Sequence, residues 1–332
     1  MDIWAAPVET LQALGLTDAM IRNIQHFPVE KFLQGEEDDA RQHQASIVTI
    51  FDGEYPDILK TIPDAPNVLY VKGAWPKNLE CAVAIVGSRD ATMYGLNAAE
   101  RLAEGLAERG IVVVSGLARG IDAAAHRGAL RAGADTIAVL GCGLDVIYPP
   151  GSEELYAKIS SQGCIVSEFP FGMRGFAGNF PRRNRIVSGL SLGVVVIEAR
   201  IKSGALITAA FALEQGREVF AMPGRADSAL SAGPHELIRH GAKIVLGVED
   251  IFEELPLVSS SQEIASKIIE KRRENVSAEE LPIVVLLNNG PLQIDEIALR
   301  SGITLTLLTA RLFTLQIKRV IREKAGKVYE LI

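Results

Sequence analysis

Three glycine-rich turns contain the residue types that bind phosphate groups. The turns are Gly87-Ser88-Arg89, residues 115–122 and Gly141-Cys142-Gly143, and each follows an apolar run of strand length. The first two also carry an arginine, Arg89 and Arg119. Free backbone N–H groups at the start of a helix, with a cation nearby, favour a bound anion. The three turns together predict a phosphate-binding crevice, which we favour over turns that merely pack tightly.

A basic segment follows a loop rich in phenylalanine and glycine. The loop ends at Phe180, and the segment after it contains Arg182, Arg183, Asn184 and Arg185. Arginine contacts phosphates and aromatic rings stack on bases, a combination suited to single-stranded nucleic acid. A solvated basic surface beside core phenylalanines explains the same residues equally well, and the pattern alone does not decide between them.

Lys202-Ser203-Gly204 begins a further helical pattern and offers a cation, a hydroxyl and backbone N–H groups to a phosphate. The alternative is that Ser203 only caps the helix. Neither the dinucleotide fingerprint G-x-G-x-x-G nor the Walker A pattern occurs. We therefore expect no NAD, no ATP-driven activity and no cofactor.

Two patterns resemble catalytic motifs and are rejected. The sequence of 189–193 fits G-x-S-x-G, but it precedes a strand, whereas a nucleophile elbow follows one. His235 and His240 are five residues apart, which places their side chains on different faces of a helix, unlike the pair in H-E-x-x-H. The sequence therefore predicts no catalytic residue and no metal site.

Strands and helices alternate from about residue 81 to residue 252, which predicts an α/β fold with a parallel sheet. The predicted strands are 83–86, 111–114, 136–140, 164–167, 194–197, 218–221 and 243–245. The predicted helices between them include 95–109, 121–132, 153–162 and 205–215. Gly110 and Gly216 follow two of these helices and are expected to terminate them.

The remaining segments predict smaller units on both sides of the sheet. Residues 1–75 are expected to form a small helical N-terminal module and a connector, and 76–255 the sheet domain. The serine-containing stretch 256–276 suits a linker. Residues 277–332 predict three helices followed by a β-ribbon, an order typical of a winged helix-turn-helix.

Charge is distributed unevenly over the 332 residues. Residues 1–60 hold eleven acidic and four basic residues, a net charge of −7 that equals the net charge of the whole chain. Residues 171–225 hold eight basic and three acidic residues, a net charge of +5. A basic patch is therefore expected on a protein that is acidic overall.

The remaining composition excludes several classes. Cys81, Cys142 and Cys164 lie far apart, which argues against a disulfide framework and a zinc site and favours buried thiols. No apolar run approaches the ~18 residues of a membrane helix. The first residues lack a basic and apolar leader. We expect a cytoplasmic protein with no membrane association.

The motifs resemble those of the DNA-processing protein A family, also called DprA or Smf. The resemblance covers residues 55–245 and uses linked blocks in a fixed order. These are A-I-V-G-S-R at 84–89, S-G-L-A-R-G-I-D at 115–122, F-P-R-R-N-R-I at 180–186, S-G-A-L-I-T-A at 203–209 and Pro223-Gly224. The order of so many blocks makes the resemblance specific.

The resemblance implies an extended Rossmann-like, DNA-binding sheet domain without catalytic activity. It implies a homodimer that binds single-stranded DNA, protects incoming strands and delivers them to the recombinase RecA during natural transformation. Around the strand it implies phosphate contacts from Arg89, Ser115, Gly116 and Arg119 and further positive charge from Arg182, Arg183 and Arg185. The glycine turn and helix start described above add Gly87, Ser88, Ser203 and Gly204 to the predicted phosphate-binding residues. Phe180 is expected to stack on a base, and Asn184 and Lys202 to make polar contacts.

Two other functions stay open at this point. A Rossmann-like phosphoribohydrolase acting on nucleoside monophosphates uses similar turns, although the P-G-G-x-G-T-x-x-E pattern of such enzymes is absent. A transcriptional regulator could use the C-terminal winged-helix module, although residues 277–332 have a net charge of only +1.

Overall fold

The computed structural model describes residues 4, 6–255, 276–288, 290–318, 320–324 and 326–331. A nine-stranded sheet with strand order β1-β2-β6-β5-β4-β3-β7-β8-β9 forms its centre. The strands are β1 Ala45–Thr49, β2 Val68–Gly73, β3 Ala82–Val86, β4 Val112–Ser115, β5 Thr136–Leu140, β6 Cys164–Ser167, β7 Gly193–Val196, β8 Glu218–Ala221 and β9 Lys243–Ile244. All seven strands predicted between residues 81 and 252 are present within a residue or two of their expected ends.

Strands β3 to β9 run parallel to one another, as the alternation of strands and helices predicts. β3 lies between β4 on one side and β7 on the other. From β3 the chain adds β4, β5 and β6 on one side, and it then crosses back to place β7, β8 and β9 on the other side of β3. The strand order therefore reverses between β3 and β7. In open α/β sheets, ligands bind in the crevice that forms at such a reversal, beyond the carboxyl ends of the strands.

The sheet is not parallel throughout. β1 pairs antiparallel with β2, and β2 pairs antiparallel with β6. The connector predicted within residues 1–75 therefore supplies two strands of the same sheet, which the sequence analysis did not expect. The buried Tyr55 donates its hydroxyl proton to the carbonyl of Pro66 at 2.7 Å and fixes the loop between these strands.

Helices cover both faces of the sheet. They are α4 Asp57–Lys60, α5 Met93–Glu108, α6 Ile121–Arg131, α7 Glu153–Gln162, α8 Asn179–Gly189, α9 Gly204–Glu214, α10 Ala232–Arg239 and α11 Glu249–Glu254. Small residues and β-branched residues from alternate strand positions form two cores, one under α5 and α6 and one under α8 and α9. Gly110 and Gly216 adopt positive φ after α5 and α9, which confirms their predicted role as helix ends.

Three helices precede the sheet: α1 Val8–Ala13, α2 Asp18–Gln25 and α3 Val29–Gln42. The first two share a small core that includes Leu11 and Ile21. α3 contacts β1, and its buried Glu36 accepts a hydrogen bond from the backbone of Phe171 at 3.3 Å. α3 of the N-terminal module therefore reaches the loop that leads into α8.

The C-terminal segment has its own apolar core. Its elements are α12 Leu281–Leu287, β10 Leu292–Gln293, α13 Ile294–Ser301, α14 Leu305–Ile317, β11 Ile321–Lys324 and β12 Val328–Leu331. The strands form an antiparallel sheet of order β10-β12-β11. Its identity as a winged helix stays a prediction, and most of the predicted linker 256–276 lies outside the described residues.

All three cysteines are buried thiols, as predicted. Within the described ranges no helix is long and apolar enough to cross a bilayer.

The packing of α5 against α6 depends on the missing side chain of Gly128. A Cβ at this position would lie 2.3 Å from the carbonyl oxygen of Glu100, so the two helices would have to separate. Gly35 in α3 is a matched comparison, because a Cβ there would meet nothing within 4 Å.

We expect G128A to lower the free energy of unfolding by about 1–3 kcal/mol, since overpacking forces the backbone to move. G35A should leave stability unchanged or raise it by up to about 1 kcal/mol, because alanine favours helix over glycine. Urea denaturation of both variants measures the difference. Equal effects of the two substitutions would contradict this account of the helix contact.

Candidate nucleic-acid interface

A cleft of about 620 Å³ opens at the carboxyl ends of β3, β4 and β7, where the strand order reverses. Its walls come from the turns after these strands, the loop before α8, and α8 and α9 themselves. Nine of the fourteen residues predicted for the site line this cleft: Gly87, Ser88, Arg89, Gly116, Phe180, Arg183, Asn184, Ser203 and Gly204. The other five, Ser115, Arg119, Arg182, Arg185 and Lys202, lie elsewhere.

Glu198 holds the first turn in place. Its backbone carbonyl accepts a hydrogen bond from the N–H of Ser88 at 2.6 Å. Its buried carboxylate accepts two more from Thr92, at 2.8 Å from the backbone and 2.6 Å from the hydroxyl. The role of Glu198 could not be predicted from the sequence, because a lone acid after a strand does not indicate which residues it will contact.

The second turn packs directly against the first. Gly120 adopts a φ of +80°, and a Cβ on it would lie 2.2 Å from the carbonyl oxygen of Ser88. Only glycine fits this close approach without strain. Ser115 was expected to contact phosphates, but it is fully buried and donates its hydroxyl proton to the carbonyl of Ile85 at 2.6 Å. It joins two strands below the cleft.

Arg183 forms the floor of the cleft and is only 4% exposed. Its Nη1 donates to the carbonyl of Gly116 at 2.7 Å and also to the carbonyl of Val139. A Cβ on Gly116 would lie 2.3 Å from this nitrogen, so the contact requires glycine. Arg183 therefore ties α8 to the ends of β4 and β5. Arg183 was expected to offer an accessible positive charge to a DNA strand, and its burial does not fit that prediction.

Burial also perturbs two acid–base groups beside Arg183. It raises the pKa of Asp122, a shift that Arg183 opposes, while Asp122 accepts a hydrogen bond from the N–H of Gly116 at 3.1 Å. Burial lowers the pKa of His126 to about 3, so this imidazole is neutral. His126 Nδ1 donates to Thr136 Oγ1 at 2.8 Å, because that hydroxyl donates its own proton to Val113. His126 is thus paired with Thr136 and not with Asp122, one turn away on the same helix.

Arg89 lies in the cleft wall with its guanidinium over the ring of Phe180, 5.2 Å from the ring centroid. Phe180 also contacts Tyr148, with 5.1 Å between ring centroids. Gly141 of the third turn leaves room for this ring, since a Cβ there would lie 2.8 Å from it. One face of Phe180 is thus covered by Arg89. Tyr148 lines the cleft as well and was missed, because it stands outside the motifs.

Arg185 was expected to add positive charge, but it is 4% exposed and lies outside the cleft. Its guanidinium forms ion pairs with Glu168 at 2.6 Å and Asp64 at 2.9 Å. Arg182 is exposed beside it and also contacts Glu168, at 3.3 Å. The three arginines of the basic segment therefore have different roles. Arg183 forms the floor of the cleft, Arg185 is buried in ion pairs, and Arg182 lies at the surface and contacts the same Glu168 as Arg185.

The start of α9 completes the cleft. Asn184 donates to the carbonyl of Gly204 at 3.2 Å, which joins α8 to α9. The hydroxyl oxygen of Ser203 is buried and has no partner among the described residues, and Ser203 forms no side-chain cap bond. Lys202 is exposed with a φ of +67° but does not line the cleft. Arg200, which sequence analysis counted only in the basic stretch, is exposed and lines it.

The cleft can bind an anion through Arg89 and Arg200. Neither side chain forms a salt bridge within the part of the chain that the structure describes, and both are exposed. Ser203 and the backbone of two glycine turns line the same space. Such a concave surface with free cations and backbone donors suits phosphate groups.

Neither rejected motif forms a site. Ser191 is buried and donates its proton to the carbonyl of Val187 at 2.9 Å. His235 contacts Gly224, whereas His240 contacts the carbonyl of Glu236. Over the described residues, no group of three or more His, Cys, Asp or Glu side chains could hold a metal ion.

Residues 46–256 match the family model described as DNA recombination-mediator protein A. The chain is 44% identical to protein Smf of Escherichia coli over 246 residues, which cover 74% of this chain and 66% of that protein. It is 45% identical to DNA processing protein DprA of Streptococcus pneumoniae over 206 residues, 62% of this chain and 73% of that protein. The chain thus spans just under two thirds of the E. coli relative.

Two solved structures share the fold. DNA processing protein A from Streptococcus pneumoniae superposes with a TM-score of 0.62 at 38% identity, covering 76% of this chain and 92% of that one. The Helicobacter pylori protein gives a TM-score of 0.57 at 32% identity, covering 63% and 94%. The latter structure concerns a unique single-stranded DNA binding mode of that protein.

The buried His126 predicts how stability depends on pH. Its pKa is about 3 in the folded chain and 6.5 when unperturbed, so between these values only the unfolded chain takes up the proton. The free energy of unfolding should fall as pH falls from 6.5, by about 1.4 kcal/mol per pH unit from this group. The raised pKa of Asp122 has the opposite effect on the pH dependence of stability. A substitution of His126 leaves Asp122 in place, so a comparison with wild type isolates the contribution of the histidine.

We expect H126N to show a shallower loss of stability than wild type in urea unfolding at pH 6.5, 5.5 and 4.5. The matched control is H240Q, which removes a histidine whose side chain is 72% exposed. Parallel pH profiles of wild type and H126N would contradict a buried, neutral histidine.

Proposed function

The chain belongs to the DNA recombination-mediator protein A family, and from that premise we propose that it binds single-stranded DNA in the cleft. We further propose that it is a recombination mediator that protects incoming strands and loads RecA onto them in natural transformation. The observation that carries the proposal is the cleft at the strand-order reversal, with Arg89 and Arg200 exposed and free of salt bridges among the described residues.

The chemistry of the cleft favours a single strand. Arg89 and Arg200 meet phosphates at the rim, and the aromatic pair Phe180 and Tyr148 offers an apolar surface to an unstacked base. In a duplex the bases are stacked inside the double helix, so they cannot contact the rings of Phe180 and Tyr148. The role of Phe180 then has two parts, since its ring also supports the Arg89 guanidinium.

The proposed activity involves no catalysis and no cofactor. The acid in the cleft floor, Asp122, is 7% exposed and hydrogen-bonded to Gly116, which suits a structural role. The phosphoribohydrolase alternative predicts release of free base from AMP by the purified protein, and our proposal predicts none.

The C-terminal unit does not favour the regulator alternative. α14, the last helix of the predicted winged helix, exposes Leu305, Leu307 and Phe313 to solvent. Its described cation Arg311 is 19% exposed and pairs with Glu279 at 2.8 Å. A helix that reads duplex DNA normally presents several cations and polar side chains. Sequence-selective binding to duplex would support the regulator over our proposal.

We propose that the protein acts in the cytoplasm as a homodimer. β9 is an edge strand; its residue Ile244 is 49% exposed, and Leu246, two residues after it, is 77% exposed. An uncovered apolar edge strand favours pairing with another chain.

We expect R89Q and R200Q each to weaken binding of a single-stranded oligonucleotide several-fold and to make the salt slope shallower by about 0.7, the value for one lost phosphate contact. R101Q is the control, because Arg101 is exposed on α5 and does not line the cleft. Fluorescence anisotropy across a salt series measures both quantities. Wild-type affinity in R89Q and R200Q would contradict the proposal.

The homodimer proposal predicts that I244D and L246D sediment as monomers in analytical ultracentrifugation, since a buried aspartate at the interface would be uncompensated. L299D is the matched control, because Leu299 is 84% exposed on α13. A wild-type monomer, or dimers of I244D and L246D, would contradict this interface.

A further inference from the structure

A second concave surface lies between α6 and α7. It has a volume of about 920 Å³ and is lined by residues of 117–131 and 149–162, with Glu100 from α5. We call it the α6–α7 groove. Ala118 lines both the groove and the cleft, so the two surfaces are continuous. The next residue, Arg119, lines the groove and is exposed, and it forms no salt bridge within the described ranges.

The groove combines apolar walls with a surplus of positive charge. Leu117, Leu130 and Leu155 contribute apolar surface, as do two prolines of the loop before α7. The charged residues that line it are the cations Arg119, Arg127, Arg131 and Lys158 and the acids Glu100 and Glu154, a net charge of +2. This local surplus stands against a net charge of −7 for the chain.

The cations of the groove lie on both of its walls, on α6 and on α7, where a phosphate backbone between the walls can contact them. Arg127 and Arg131 lie one turn apart on α6, so their side chains project from the same face. Both contact Glu100, at 3.0 and 3.1 Å, Arg131 also pairs with Glu104 at 2.9 Å, and the two arginine side chains are 49% and 41% exposed. Lys158 contacts Glu154 at 2.6 Å on the opposite wall. The three cations are themselves accessible to solvent, so phosphates can compete with the carboxylates for them.

We propose that the α6–α7 groove binds the continuation of the single strand whose first segment occupies the cleft. The proposal rests on the proposed function and extends it with a second binding segment. Three observations select a nucleic acid strand as the occupant: the continuity at Ala118, the unpaired cation Arg119 at that junction, and apolar walls against which bases can lie. An acidic peptide matches the charge alone and has no reason to continue from the cleft.

The test compares short and long thymidine oligonucleotides, about five and about twenty nucleotides, a range that spans typical single-strand site sizes. The variant R127Q/R131Q/K158Q removes three cations of the groove and leaves the cleft unchanged. The matched control R22Q/K31Q/R239Q removes three exposed cations that line neither surface. Anisotropy titrations over a salt series give affinity and slope for each pair.

We expect the groove variant to bind the long oligonucleotide about tenfold or more weakly, with a slope shallower by about 2, since three phosphate contacts are lost. Its affinity for the short oligonucleotide should equal that of wild type. Equal losses on both lengths, an equal loss in the control variant, or no loss at all would overturn the proposal. Failure of the wild type to bind either length would instead overturn the proposed function itself.

A second measurement does not depend on removing charge. Ser161 lines the groove and is exposed, whereas the three native cysteines are buried. S161C can therefore carry a photoactivated aryl azide selectively. We expect cross-links to the long oligonucleotide and none to the short one. Absence of cross-links to the long oligonucleotide at saturating concentration would overturn the proposal.

Discussion

The buried guanidinium of Arg183 is the interaction on which the cleft depends. It bonds to the carbonyl groups of Gly116 and Val139, and so joins α8 to the ends of two neighbouring strands. Burial disfavours the charged guanidinium and lowers the pKa of Arg183 to about 10, while the negative charge of nearby Asp122 opposes this shift. Because Phe180 and Asn184 lie within one turn of Arg183 on α8, this anchor also sets where they meet the turns. Removing one partner from a buried charge network costs several kcal/mol, so the floor tolerates little change.

The arginines of this protein divide into two groups by exposure. Arg183 and Arg185 are almost fully buried and hold elements together through carbonyl groups and carboxylates. Arg89, Arg119 and Arg200 are exposed and available to a ligand. The guanidinium group serves both purposes because its planar set of donors can satisfy several acceptors at once, or present a charge that remains ionised at any physiological pH. The buried arginines therefore position the exposed arginines that we propose contact the strand.

The sequence predicts the sheet well because strand and helix patterns are local. The seven parallel strands, the glycine turns and the helix ends at Gly110 and Gly216 all follow from short-range preferences. The antiparallel strands β1 and β2 were missed, because the prolines and polar residues between them suggest a connector and their place in the sheet is set by the distant strand β6. The different burial and partners of Arg182, Arg183 and Arg185 could not be predicted from the sequence either. Adjacent arginines look alike in sequence, and only Glu168, Asp64 and the carbonyl of Gly116 distinguish them in space.

The central claim is that the cleft receives the bases and phosphates of a single strand. Photo-cross-linking with an oligonucleotide that contains 5-iododeoxyuridine, followed by mass spectrometry of the peptides, tests it most directly. The account predicts cross-links at the aromatic residues of the cleft, Phe180 and Tyr148. Cross-links confined to peptides of α13 and α14, with none in the cleft, would contradict it.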